Sequence, residues 1–201
     1  IKNLSNKIGF NLSLKVNKIN YLSQQIEIKN IKIKNKKGYF NENVFEANKV
    51  LIDYKISSIF TNLIIINSVL LNKPKFYFEI KNTRIGENQK ETLNDNVDLI
   101  QTIINKQSPK KYPKKRMDNN FLINNIKINS SSAYIKVPQN KNNISINLSD
   151  MNFQNIGNAT NDKGDKFQHF KDVFKIILTD IYFKIPDQSL RELVRKNYKL
   201  N

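Results

Sequence analysis

Residues 70–80 read LLNKPKFYFEI, and the proline inside this stretch decides how its neighbours are read. Proline has no N–H to give a sheet ladder, so in strands it is confined to first positions, edges and bulges. Pro74 therefore marks a strand start. After it, Phe76, Phe78 and Ile80 alternate with Lys75, Tyr77 and Glu79, the period of two that a half-buried strand has. Before it, IIINSVLL (64–71) supplies another strand, so Asn72-Lys73-Pro74 reads as a turn between the two.

Working outward towards the N-terminus, Phe10, Leu12, Leu14 and Val16 alternate as a first strand. In IEIKNIKIKNKKGYF (26–40), Ile26 and Ile28 keep one phase and Ile31 and Ile33 another; a bulge at Lys29 or Asn30 would hold all four on one face. Gly38 is free to take positive φ in the turn that follows. Phe45 and Ala47, then Val50, Ile52, Tyr54 and Ile56, give a strand with a second phase slip. SSIFTNL (57–63) predicts one helical turn, N-capped by Ser57 or Ser58, with Ile59 and Leu63 at helical spacing.

Towards the C-terminus, residues 82–120 hold few large apolar side chains and read as a mobile insert. Within it, Val97, Ile100, Ile103 and Ile104 predict a short helix over 95–106, capped by Asn94 or Asp95. SPKKYPKKRMDNN (108–120) carries two prolines among its basic residues and reads as a loop. FLINNIKINSSSAYIKVP (121–138) reads as a hairpin turning at Asn129 to Ser132. NISINLSDMNFQNIG adds Ile144, Ile146 and Leu148, then Met151, Phe153 and Ile156, ending at Gly157. The apolar spacing from Phe167 to Ile185 predicts a long amphipathic helix over 165–185, and Leu190 to Val194 a short one.

The bulk composition narrows function less than it first suggests. The chain has 201 residues and a net charge of +17, which normally points to nucleic acid or an anionic membrane surface. Yet 30 Lys, 33 Asn and 29 Ile make up nearly half of it, the mark of an A- and T-rich coding sequence. Only four of the basic residues are Arg, whereas base and phosphate readout favours the bidentate guanidinium. Nucleic acid is therefore disfavoured as a partner. The basic cluster Lys110, Lys111, Lys114, Lys115 and Arg116 is the best local set for a membrane surface, against the plainer reading of a solvated linker. No stretch reaches the 18 apolar residues of a membrane span. Because the sequence starts at Ile1, not Met, the expectation is that a leader or N-terminal anchor precedes it.

Catalytic chemistry is missing from the pattern. There is no Cys, one His (His169) and no paired set of carboxylates at helix or strand spacing, so no nucleophile, general base or metal ligand set assembles. Five Gly leave no phosphate-binding loop. The six Asn-x-Ser/Thr triplets are what so many Asn produce by chance. The chain reads as a non-enzyme with no cofactor and no metal.

The order of these segments resembles the N-terminal module of the AsmA-like family of bacterial envelope proteins. The resemblance is carried by GYF (38–40), the Ser-Ile-Phe turn (57–60), the strand, proline and strand of 64–80, NVDLI (96–100), the segment 121–137, and ISINLSDMNFQNIG before a long helix; it covers roughly 20–185. It implies a single AsmA-like domain over 1–201, in the periplasm and anchored to the inner membrane. It further implies a taco-shaped, curved sheet related to bridge-like lipid transfer proteins, with phospholipid as ligand.

A physical reading stands beside the resemblance. The segments predict an α+β fold in which a curved antiparallel sheet with one apolar face, a groove, needs a cover of helix or of lipid tails. The residues expected to line that groove are Ile26, Ile28, Ile31, Ile33, Val50, Ile52, Tyr54, Ile64, Ile66, Phe76, Phe78, Ile126, Ile128, Ile144 and Ile146. Two functions stay open at this point: transfer of phospholipid along an open groove, or an envelope scaffold whose helix closes the sheet and whose partner is a protein.

Overall fold

The computed structural model describes residues 12–35, 37–83, 92–95, 120–137, 144–157 and 168–198. These form mainly a mixed β-sheet, curled and unclosed, with two helices at its C-terminal end. The strands are β1 (Leu12–Asn20), β2 (Gln25–Lys34), β3 (Asn43–Tyr54), β4 (Leu63–Asn72), β5 (Lys75–Thr83), β6 (Thr92–Asp95), β7 (Asn120–Asn129), β8 (Ser132–Lys136), β9 (Ile144–Asn147) and β10 (Met151–Gly157). The helices are α1 (Gln168–Lys184) and α2 (Gln188–Tyr198).

Register shows that several of these strands are halves of longer ones. Leu63 pairs with Asn120 and Glu79 with Lys136, both in parallel, and the offset of 57 residues is the same on either side of Pro74. Thus β4–β5 and β7–β8 are two bent strands running side by side, and neither pair is a hairpin. β9–β10 follows β7–β8 antiparallel in one register, from Ser132↔Asn147 to Ile156↔Ile123. β3 lies along β4–β5 in the same manner, from Phe45↔Phe76 to Asp53↔Ser68. β2 and then β1 complete the sheet.

The bends line up. By continuity of register Asn30, Asn48, Lys73, Ser130 and Ser149 lie across from one another on five adjacent strands. Six residues away on every strand, Gln24, Tyr54, Asn67, Asn124 and Asn155 form a second line. Among the described residues, all five non-glycine positions with positive φ belong to these lines: Asn30, Lys73 and Ser130 to the first, Gln24 and Asn155 to the second. Each is a local break in the pleat, which explains the phase slips in the sequence: apolar residues on either side of a break return to the same side of the sheet. In β7–β8 the buried positions are Ile123, Ile126, Ile128, Ser131, Ala133 and Ile135, alternating except where a crease adds one residue.

Pro74 sits in the first crease, where the ladder is already interrupted, so its missing N–H costs little. Its carbonyl accepts from the Ser132 N–H at 3.0 Å, and the Lys73 N–H donates to the Asn129 carbonyl at 2.8 Å. Polar groups released at the crease find side chains: the Ser130 N–H donates to Asp150 Oδ1 at 2.7 Å, and the Ser149 N–H to Asp180 Oδ2 at 2.8 Å. Asp180 lies on α1, and Lys184 of the same helix donates to the Asn147 carbonyl and to Ser149 Oγ. The crease therefore fixes where the helix lands.

Four expectations are corrected. The sheet is not wholly antiparallel: β4/β7 and β5/β8 run parallel, because the long segment between β5 and β7 brings the chain back to the same end. Asp95, the first residue of the helix expected over 95–106, belongs with Asn94 to β6, which pairs antiparallel with β5, and residues 96–106 lie outside the described residues. The turn after β3 is a 3-10 turn over Ile56–Phe60 with no side-chain cap; Ser58 Oγ instead donates to the Lys55 carbonyl and accepts from the Ile65 N–H. Finally, α1 lacks a clean polar side: Ile177, Leu178 and Ile181 are buried while Ile176 and Phe183 are exposed. Residues 165–167 lie outside the described residues.

The crease makes a stability prediction. Asn155 holds φ at 55° within a strand, a conformation that costs a β-branched residue about 1–2 kcal/mol. Asn155→Val should lower the unfolding free energy measured by urea titration by that amount, whereas Asn155→Gly should leave it nearly unchanged.

Candidate apolar groove

The register aligns the expected groove residues into rows that cross the sheet. Phe153, Ile126, Val69, Ile52 and Ile26 make one row; Met151, Ile128, Leu71, Val50 and Ile28 make the next. Beyond the first crease, Ile146, Ala133, Phe76, Phe45 and Ile33 form a third. Ile66 meets Ile123 and Tyr54, Ile64 meets Phe121, and Ile144 meets Ile135 beside Phe78. Ile31 lies opposite Ala47. All fifteen residues thus share one apolar side.

That side is not uniform. At the β5–β10 end, Phe76, Phe78, Ile126, Ile128 and Ile146 are buried in a core closed by Ile177, Leu178, Ile181 and Ile185 of α1 and its exit and by Leu190 and Val194 of α2. Each such side chain contributes about 1.5–3 kcal/mol by leaving water. At the β1–β3 end, Ile26, Ile28, Ile31, Ile33 and Ile52 are only half-buried, and Val16 and Ile19 on β1 are nearly half exposed. Ile64 and Ile66 are also half-buried, and Val50 and Tyr54 are buried. Among the described residues the helices cover one half of the rows; in the other half the isoleucines of β2 and Ile52 stay half-buried beside the buried Val50 and Tyr54.

The opposite side of the sheet is polar and braced. Glu27 on β2 accepts from Lys49 at 2.8 Å, Lys29 at 3.2 Å and Asn17 Nδ2 at 2.6 Å. The hydrogen bonds and charges of Lys49 and Lys29 hold its carboxyl down to about 2. Tyr77 and Tyr134, directly across from each other, stack with ring centres 5.2 Å apart. Desolvation, then the nearby Glu46 carboxylate at 3.1 Å, push the Tyr77 phenol up to about 12. At the β2–β3 turn, the buried Glu79 carboxylate accepts from the Phe40 N–H at 2.8 Å and the Asn41 N–H at 3.1 Å. Sequence reading gave Glu79 only a solvent-facing place on β5; its role as a turn anchor depends on a contact 38 residues away in sequence.

The basic set Lys110, Lys111, Lys114, Lys115 and Arg116 lies outside the described residues. Among the described residues no helix is long and apolar enough to cross a membrane. Sequence reading missed a group of exposed apolar side chains at one corner of the sheet, Tyr21, Leu22, Ile59 and Phe60; the signal that could have found them was their position in connections between strands, where turn residues are usually polar. No protein-family model, no curated protein and no solved structure matches this chain.

The Glu27 cluster yields a pH prediction. Its carboxyl titrates lower in the folded chain than the roughly 4.3 of an unperturbed Glu. The stabilisation it supplies is complete above that unfolded value and is lost as pH falls towards about 2. Glu27→Gln should therefore flatten the acid limb of the melting temperature between about pH 4 and 2, measured against the parent chain.

Proposed function

We propose that this chain is a non-enzymatic lipid-binding protein, in which phospholipid acyl chains lie against the uncovered half of the apolar rows. The observation that carries the reading is the contrast between two halves of one continuous side. Ile126, Ile128 and Ile146 are sealed under the helices, while Ile52, Ile26, Ile28 and Ile33 in the same rows, with Ile31 beside them, stay half-buried. An acyl chain gains about 0.8 kcal/mol for each CH₂ it buries there, with no polar contact required. The taco-like groove, the AsmA-like resemblance over 20–185, the periplasmic location and the inner-membrane anchor all belong to this proposal.

A second reading has one observation in its favour. The covered half already behaves as an ordinary core, with α1 latched to the crease by Asp180 and Lys184. Under that reading the chain is an envelope scaffold, and the half-buried rows are the margin of a core that meets a protein partner.

Native mass spectrometry of protein taken gently from membranes separates the two: bound phospholipid is expected under the first, a clean apo mass under the second. Paired variants sharpen the result. Ile52→Asp, in the open half, should remove the co-purifying lipid and keep a cooperative melt; Ile128→Asp, under the helices, should cost about 3 kcal/mol or more and unfold the chain. If both unfold alike, the open rows are core and the lipid reading fails.

A further inference from the structure

Beyond the second crease, at the end where β1 turns into β2 and β3 passes to β4, two connections carry large apolar side chains into water. Leu22 is 98% exposed, Phe60 86%, Tyr21 68% and Ile59 52%. These are not slack loops. The Leu22 and Ser23 N–H groups both donate to Asn20 Oδ1 at 3.1 Å, closing the β1–β2 turn. The 3-10 turn is held by Ser58, whose N–H and hydroxyl both donate to the Lys55 carbonyl, and by Thr61, whose hydroxyl donates to the Ser58 carbonyl. Gln24 joins the two: its carbonyl accepts from the Tyr54 N–H and its Oε1 from the Ile56 N–H, each at 2.9 Å. Four apolar side chains are thus presented together on an ordered corner.

The exposed charges around the corner have one sign. Residues 12–24 and 54–67 contain Lys15, Lys18 and Lys55, all exposed, and no Asp or Glu. The neighbouring carboxylates are half-buried and engaged: Glu27, across from Lys18, by Asn17, Lys29 and Lys49, and Asp53, two residues before Lys55, by Gln25 and Ser68. Apolar tips with a Tyr among them, flanked by exposed lysines, match the boundary between acyl chains and anionic headgroups: the tips enter the apolar layer, Tyr sits at the polar edge, and the ammonium groups meet phosphates.

We propose that this corner, Tyr21-Leu22 with Ile59-Phe60, docks into the surface of an anionic bilayer. The strands then rise from the membrane, with half-exposed Val16 and Ile19 of β1 next to the docked tips. This docking does not require that the rows themselves carry lipid, so each can fail alone.

Co-sedimentation of the chain with phosphatidylcholine vesicles, with and without phosphatidylserine, tests it. The parent chain should bind the phosphatidylserine vesicles more tightly. Leu22→Ser with Phe60→Ser should weaken that binding roughly tenfold or more, with an unchanged melt. Lys18→Glu with Lys55→Glu should remove the preference for phosphatidylserine. Should the apolar pair lower the melt, Leu22→Ser alone, at a side chain almost wholly in water, carries the same comparison. Equal binding by the parent and the apolar variant, or no binding of the parent to either vesicle, overturns the proposal and leaves the corner to a protein contact. Lipid retained by the apolar variant in native mass spectrometry would show that the groove reading survives that loss.

Discussion

The structure depends on keeping one register across the breaks in its long strands. A one-residue offset in a regular strand sends each following side chain to the other side, so a bulge in a single strand would turn half of its isoleucines outward. Here the breaks fall in line across the sheet, at Asn30, Lys73 and Ser130, and a second line runs from Gln24, in the β1–β2 turn, to Asn155 on β10. All strands change phase together, and the apolar rows stay intact on both sides. Side-chain chemistry fits the backbone at two of these points, Asn30 and Asn155, since Asn tolerates the left-handed region better than most side chains.

Breaking the ladder releases backbone N–H groups, and the partners they find decide the rest of the architecture. At the first crease one is taken by Asp150, next to the bend itself, and another by Asp180 from α1. The helix is thereby pinned over the β9–β10 edge. Its apolar residues then meet Leu148, Met151 and Phe153 in preference to the isoleucines of β2. Asp187 caps α2 by accepting from the Leu190 N–H at 2.7 Å, which turns the chain at once after Pro186 and keeps the second helix over the same core. The uneven cover of the apolar side follows from hydrogen bonding at the crease as much as from hydrophobic demand.

Much of this was legible in the sequence, strand by strand. Alternation located the strands other than β6, and the slips after Ile28 and Ala47 were visible as breaks in phase. Their alignment was not visible, since it depends on which strands pair, and Asn72-Lys73-Pro74 and Asn129 to Ser132 carry turn residues whether the chain reverses or merely bends. The parallel pairings were hidden for the same reason: β4–β5 and β7–β8 are 57 residues apart, and no local pattern reports that they are neighbours. β6 is four residues, TLND, with a single large apolar side chain, too little to register as a strand. The groove residues could be picked out because their apolar character repeats within each strand; which of them lie under helix could not, because Asp180 selects that through a contact with Ser149.

The remaining question of what covers the open half turns on dimensions. A helix is about 10 Å across and adjacent strands lie about 4.8 Å apart, so a helix laid along the strands roofs roughly two of them. The sheet sets β1, β2, β3, β4–β5, β7–β8 and β9–β10 side by side, and α1 has β10 and α2 as its main neighbours. Cover that begins at the β10 edge is used up before it reaches β1 and β2. The half-buried state of Ile26, Ile28, Ile31 and Ile33 then follows from where Asp180 places α1, and under the proposed function a flexible apolar guest would complete the cover without a further helix. A guest of that kind asks only for continuous hydrocarbon contact along a row, which the shared register of the creased strands provides.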